Sequence, residues 1–435
     1  MKYLYITLAL LLFIACGRND LEQLPPLEAD ASSLTTYGEV LNAAYYYHQA
    51  STTPLAVMGD FRADNMLMDE EPYPAFDRFN EDLAGGDLVG QFFQPFYSNL
   101  YKAILSTNNV INNSSDDEEI GEAQFLRALS YFKLVKVFGD VTVILDAAPD
   151  VEDKSILART RAGEVYNNVI IPDFEAAIAA LDNSGLSSGR ATKIAAQGML
   201  GKVYMQLSNF GSAETLLGTV VADASGAGIM LLDDYADIFG EESDLNAEVI
   251  FATQQSSSLD DAYGFTLFPG WFSGGDTKSL APLDPDLVAA FDDSPGDLRR
   301  GVTINTDDFT SPKFGNGLNQ DWIELRLGDA ILLYAEALNE NNNTDDAIDE
   351  LNKIRDRAGL DDYDGDTDQD DVRQAIADER RLELALEGQR WFDLVRTGTV
   401  DEEMGQSINP NYYVFPLPDS EILASGGVIT QNEGY

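Results

Sequence analysis

The chain has 435 residues, with 75 acidic against 27 basic side chains and a formal net charge of −48. Such a surface repels nucleic-acid phosphates, anionic membranes and polyanionic substrates, which leaves neutral ligands as the readier partners. Hydrophobic residues make up 44%, as in a globular rather than a disordered chain. One cysteine and one histidine exclude an internal disulfide and the usual zinc sites.

The cysteine sits at the end of LLFIAC (11–16). Lys2 precedes it, and Tyr3 to Ala15 is nearly unbroken apolar sequence. That run falls short of the about 20 residues a spanning helix needs, but it suits the apolar region of a signal peptide. The small Ala15 suits cleavage, and the segment resembles a bacterial lipobox, with Phe13 in place of the usual Leu. The expectation is a signal peptide over 1–15, lipidation of Cys16 and a polar tether over 16–36 carrying Pro25 and Pro26. Acyl chains would hold the protein to a membrane without a spanning helix.

From Leu34 the pattern becomes helical. Phe125, Ala128, Leu129, Phe132 and Val135 share one helix face, and Gly139-Asp140 ends it. Ala196, Met199, Leu200, Val203 and Leu207 make an apolar stripe, Asn209-Phe210-Gly211 breaks it, and Ala213, Leu216, Leu217 and Val220 make a second. This αα-hairpin resembles a tetratricopeptide unit. A second pair spans 327–358, with a polar turn over 339–344. The two hairpins are not a simple tandem array. Between them, 223–320 is rich in Gly, Asp, Ser, Pro and aromatics, with a short strand at EVIFATQQ (248–255). A similar irregular stretch is expected at 51–95. Loops this long are often functional. The predicted class is mostly α: a scaffold of tetratricopeptide-like pairs with long loop-rich insertions and a few short strands.

Six segments together resemble the SusD/RagB family of outer-membrane lipoproteins of Bacteroidetes. They are RALSYFKLVKVFGDV (127–141), GRATKIAAQGMLGKVYMQL (189–207), LRLGDAILLYAEALNE (325–340), LNKIRDRAGL (351–360), ERRLELALEGQRWFDLVR (379–396) and FPLPDSEI with QNEGY (415–435). The resemblance runs through nearly the whole mature chain, in the family's order. It implies a SusD-like α/α superhelix over 37–435, lipid-anchored in the outer membrane and facing the exterior. It further implies non-catalytic capture of an oligo- or polysaccharide and its delivery to a SusC-like TonB-dependent transporter. Two other readings stand beside it: a glycoside hydrolase or lyase, and a helical scaffold that binds protein and no sugar.

Within the chain, YGFTLFPGWFSGGD (263–276) is the first ligand candidate. Tyr263, Phe268, Trp271 and Phe272 stand among glycines and a proline, and aromatic faces stack on the C–H faces of sugar rings. Its alternative is a local mini-core around Trp271. The second candidate, DFRADNMLMDEEPYPAFDRF (60–79), offers Arg62, Asp64 and Asn65 for hydrogen bonds and Tyr73 and Phe76 as rings.

Catalytic signals are poor. GLSSG (185–189) satisfies G-x-S-x-G, but its flanks are helical and the sole histidine, His48, precedes it, against the order an elbow nucleophile requires. DDYDGDTDQDD (361–371) sets Asp362, Asp364, Asp366 and Asp368 at alternate positions, which invites a structural calcium ion. Thr367 and Arg373, however, replace the Gly and Glu of a calcium loop, and a solvated acidic loop is the plainer reading. No other cofactor is expected. The charged cluster from Arg380 to Asp393 reads as ion-pair structure rather than a sugar site.

Overall fold

The computed structural model describes residues 37–150, 152–255, 268–273, 283–315, 317 and 319–435. Cys16, the expected tether and Tyr263 lie outside the described residues.

In chain order the helices that build the scaffold are α1 (Gly38–His48), α2 (Thr52–Asp60), α3 (Gln94–Asn113), α4 (Asp117–Phe138), α5 (Ile171–Ala180), α6 (Lys193–Gln206), α7 (Phe210–Asp223), α8 (Phe268–Ser273), α9 (Leu327–Glu340), α10 (Thr344–Arg357), α11 (Gln369–Glu383) and α12 (Arg390–Thr397). Among the described residues, strands are confined to two antiparallel ladders. One pairs β1 (Val141–Thr142) with β2 (Arg159–Thr160), and the other pairs β3 (Val249–Thr253) with β4 (Trp322–Arg326). The fold is mostly α, as the apolar periodicities predict.

Local chemistry sets the helix ends. Asp116 caps α4 by accepting from the amides of Glu118 and Glu119, and three acidic residues follow in the first turn, where the helix dipole favours negative charge. Gly139 stops it at φ 72°, a conformation that glycine adopts without strain. Thr192 caps α6 and Asn209 caps α7.

The long helices pack in succession. α1 lies on α3, α3 on α4, α4 on α5, α5 on α6, α6 on α7, α7 on α9, and α9 on both α10 and α11. The two hairpins flagged in the sequence thus stack directly, although the 223–320 insertion separates them in the chain. Met205, Ala213, Leu217, Leu333 and Ala337 form the seam, with Tyr204, Phe210 and Tyr334 along it. Gly201 permits the close approach within the first hairpin, since a Cβ there would fall 2.7 Å from Leu217 Cδ2.

The stretch 51–95 is more regular than expected. It holds α2 and short turns at Ala75–Arg78 and Glu81–Ala84. α2 escapes a periodicity reading because Pro54 to Asp60 are all buried, and a helix covered on every side shows no polar face.

A buried ionic network fastens the insertion to the C-terminal helices. Arg326 at the end of β4 contacts Glu248 (2.8 Å), Glu387 (2.8 Å) and Glu383. Arg299 contacts Asp297 (2.7 Å), Glu379 (2.6 Å) and Glu383 (3.0 Å). Lys313 reaches Glu387 at 2.8 Å, and Arg357 reaches Glu383 and Glu248. Burial alone would raise the Glu383 pKa, but Arg357, Arg326 and Arg299 together hold it well below the usual carboxylate range. Each charge is paired, which is the condition for tolerating it in the interior.

Candidate functional site

The two stretches singled out as ligand candidates meet in space. The 60–79 segment leaves the end of α2, and α8 packs on α2. Backbone bonds tie each of them to the 283–311 segment. Met66 bridges to Leu283, Asp284 N donates to Asn65 O at 3.0 Å, and Ser311 N donates to Phe272 O at 2.7 Å.

Their named side chains, however, face inward. Trp271 is 1% exposed. Its ring centroid lies 5.0 Å from that of Tyr73 and 5.7 Å from those of Phe61 and Phe92. Phe76 extends the cluster to Phe92 and Phe61. Phe268 packs on Phe314 and Trp322, and Phe272 on Phe314. Trp271, Phe268, Phe272, Tyr73 and Phe76 are all buried. Stacking on a sugar needs an open ring face, which none of these five presents. The reason is legible in α8: Phe268, Trp271 and Phe272 fall at i, i+3 and i+4, one face of a helical turn. The mini-core alternative describes this region.

The polar candidates are also committed internally. Arg62 is fully buried. It donates to Phe76 O (2.9 Å), Tyr412 O (2.7 Å) and Tyr435 Oη (3.1 Å), and its guanidinium lies 4.6 Å from the Phe79 ring centroid. Asp64 accepts two 2.7 Å bonds from Arg390 and pairs with Arg381 at 3.0 Å. Asn65 donates to Asp60 Oδ1 at 3.0 Å and accepts from Arg381 Nε at 3.2 Å. These residues fix the loop to the C-terminal helices; their hydrogen bonds are not free for a ligand.

What remains open at the junction is different. Phe309 is 43% exposed and Leu67 is 40% exposed. Phe309 has φ 54° and its carbonyl accepts from Leu283 N at 3.0 Å, which sets it beside the Met66–Leu283 bridge. Sequence reasoning missed it. Its signal was the turn-rich NTDDFTSP (305–312), a protruding bend carrying one ring. Two carboxyls belong to the same region. Burial pushes the pKa of Asp77 up to about 7 against the pull of Arg62, with Asp284 adding to the rise. Burial likewise raises that of Asp60 to about 6, eased by hydrogen bonds from Asn65 and Gly388.

A cleft of about 350 Å³ opens between α9, α11, α12 and the turn before α7. Most of its charges are paired. Arg380 holds Asp329 (3.0 Å) and Asp393 (2.9 Å), Arg390 holds Asp64 and Glu403, Arg396 holds Glu336 and Asp393, and Arg373 holds Glu340. The Arg380–Asp393 cluster is therefore ion-pair structure, as its sequence pattern suggests.

The other sequence signals take ordinary places. GLSSG forms a 3₁₀ turn at Leu186–Ser188. His48 ends α1, buried, with Nε2 3.0 Å from Ser130 Oγ. Asp361 to Asp368 carry exposed carboxylates before α11, and the described residues contain no group of three or more His, Cys, Asp or Glu placed to hold a metal. No described helix is long and apolar enough to cross a membrane.

Two family models match the chain: the SusD family over residues 298–413, and a model described as starch-binding associating with outer membrane over residues 57–205. The chain is 25% identical to SusD-like protein P2 of Formosa agariphila over the full length of both. It is 26% identical to a SusD-like protein of Bacteroides ovatus, covering 91% of this chain and 82% of that one. Among solved structures it superposes on surface glycan-binding protein A from Bacteroides fluxus with TM-score 0.76 and 21% identity, covering 92% of this chain and 99% of the other. A laminarin-binding SusD-like protein gives TM-score 0.74 and 22% identity, with the same coverage. By these matches at both ends of the scaffold, and by its stacked helix pairs, the chain belongs to the SusD/RagB family.

Proposed function

We propose that this protein is a cell-surface glycan-binding lipoprotein that captures an oligo- or polysaccharide and passes it to a SusC-like TonB-dependent transporter in the outer membrane. The observation that carries the reading is family membership, with relatives described as laminarin-binding and as surface glycan-binding. Cys16 is the proposed anchor, following a cleaved segment over 1–15. The mechanism is capture without bond cleavage.

The proposed ligand face is the surface above the Trp271 cluster, where the 60–79 and 283–311 segments join. Phe309 supplies an open ring there, and Tyr263 is the remaining ring of the sequence set. Trp271, Phe272, Phe268, Tyr73 and Phe76 brace this face from beneath, and Arg62, Asp64 and Asn65 hold its loop in register. A rigid support of this kind lowers the ordering cost of binding. The net charge of −48 favours a neutral glycan over an anionic one. Retardation of the protein in gels containing neutral polysaccharides, with a parallel assay for released reducing ends, tests capture against hydrolysis.

A further inference from the structure

Lys136, on α4, is half-buried and lacks a counter-ion. Among the described residues its Nζ makes no salt bridge and no hydrogen bond. It lies 4.2 Å from the ring centroid of Phe392 and 5.7 Å from that of Phe132. Ring faces attract a cation but carry no net charge to cancel it. Nζ is not among the unpartnered nitrogens sealed inside the fold, so a small particle can reach it.

The charges around it are already matched to one another. Lys133 pairs with Glu324, and Lys202 with Asp329 at 2.7 Å. Arg380 bridges Asp329 and Asp393, and Arg396 joins Asp393 to Glu336. These four cations face four carboxylates, so the network is neutral without Lys136. Protonated Lys136 adds one positive charge with no partner, in a place where a charge is tolerated only when paired. Burial lowers its pKa to about 7, and Lys202 and Lys133 push the same way against Glu324 and Asp393.

Lys136 also lines a small void between α2, α4, α6, β4 and the turn before α12. The void measures about 20 Å³, and Lys133, Lys202 and Gln389 share its lining. That exceeds the roughly 10–15 Å³ one water needs and is too small for sulfate, phosphate or a sugar. The Gln389 side-chain amide makes no hydrogen bond among the described residues and is likewise unsealed, so it offers a second N–H. A water at this place accepts hydrogen bonds but leaves the charge unmatched. A halide ion accepts them and supplies the missing charge.

We propose that this void binds one small monovalent anion of the chloride class, held by the Lys136 ammonium with the Gln389 amide as a second donor. Lys136 is then charged and the whole network is neutral. The net charge of −48 opposes an anion at long range, but salt screens that field. The proposal does not depend on glycan capture.

The test uses the full chain carrying ¹³Cε-labelled lysine. The Lys136 signal is the one missing from both Lys136→Met and Lys136→Gln, whose melting temperatures report that they fold. At about pH 8 and about 0.5 M total sodium, where the screening length is roughly 4 Å, chloride replaces gluconate stepwise. The Lys136 signal moves saturably from its amine position toward its ammonium position. Sulfate in place of gluconate leaves it unmoved. Chloride raises the melting temperature of the parent more than that of either variant. A Lys136 signal that chloride does not move overturns the proposal, whether it rests at the amine position or already at the ammonium position. So does one that sulfate moves equally, because the response is then general to salt. An equal chloride effect on the melting temperature of a folded variant also overturns it, since the anion then sits elsewhere. Failure of polysaccharide retention leaves each of these readings intact.

Discussion

Arg390 and Asp64 lie 326 residues apart and meet as a parallel pair, Nε to Oδ1 and Nη2 to Oδ2, each 2.7 Å. The contact ties the loop after α2 to the start of α12. Both residues are buried, so each is the other's main compensation for lost water. Arg381 adds a second cation at 3.0 Å from Asp64. Burial works against the carboxylate, but the Arg390 hydrogen bonds and the two positive charges win, and the Asp64 pKa is lowered.

Asp64→Ala takes the paired carboxylate from Arg381 and leaves the buried Arg390 guanidinium with Glu403 alone. Breaking such a pair costs about 3–5 kcal/mol, and the expected outcome is a fall of that size in urea-unfolding free energy. Asp64→Asn retains part of the hydrogen bonding and loses less. A direct ligand role for Asp64 would instead lower glycan affinity with stability unchanged.

Trp271→Ala and Phe309→Ala separate support from contact. Trp271 fills interior space against three rings, so its truncation costs about 3–5 kcal/mol of stability. Phe309 is 43% exposed, and its truncation leaves the melting temperature near that of the parent while weakening glycan retention. Thermal melts and affinity gels on both variants check this contrast.

Gly59 is set against the backbone of Gly388, where an added Cβ would collide. The approach delivers Asp60 Oδ2 to Gly388 N at 2.7 Å. Gly59→Ala pushes α2 off this turn, whose backbone cannot yield as a side-chain tip can. A destabilisation of about 1–3 kcal/mol, typical of overpacking, is expected in denaturant titration, whereas Gly211→Ala, at a site with open space, is expected to be neutral.

The pH dependence follows from buried carboxyls. Asp60 is raised to about 6, and Asp77 and Asp321 to about 7, all chiefly by burial. The folded state holds these protons more tightly than the unfolded chain, so their contribution is complete below about pH 4 and is lost as pH rises through 6 and 7. Asp64, Asp329, Glu383 and Glu387 are lowered by neighbouring cations despite burial, and their contribution is lost as pH falls below about 4. Self-repulsion among 75 acidic side chains also grows with pH. Lys136 works the other way: burial lowers its pKa to about 7, so its term favours the folded state as pH climbs from 7 toward 10. The melting temperature is expected to peak near about pH 4–5 and to have fallen by about pH 7.5, as scanning calorimetry across a buffer series will show.

The scaffold was legible because its signals are local. The stripes of α4, α6, α7, α9 and α10 repeat with the helical period, and the caps at Asp116, Thr192 and Asn209 carry their own chemistry. The strand at 249–253 could be read, but its partner at 322–326 could not, since pairing is a long-range fact. The two candidate stretches meet in space, a long-range fact that the sequence did not show, and aromatic residues among glycines look the same from sequence whether they face in or out. Trp271 was resolved only by Phe61, Tyr73 and Phe92 around it. Arg62, Asp64 and Asn65 looked available because Tyr412, Arg390 and Arg381 lie more than 300 residues away. Phe309 drew no attention because a single ring in an acidic turn has no periodic context.

The central claim is glycan capture, and affinity electrophoresis tests it most directly. The protein is run in gels containing laminarin, starch, xylan, mannan or alginate, with chitin oligosaccharides as soluble competitors, and with Phe309→Ala alongside the parent. The account predicts retardation by at least one neutral glycan, weakened in Phe309→Ala, with no reducing ends released. Migration unaltered by every glycan would contradict capture. Reducing ends released by the purified protein would replace it with hydrolysis.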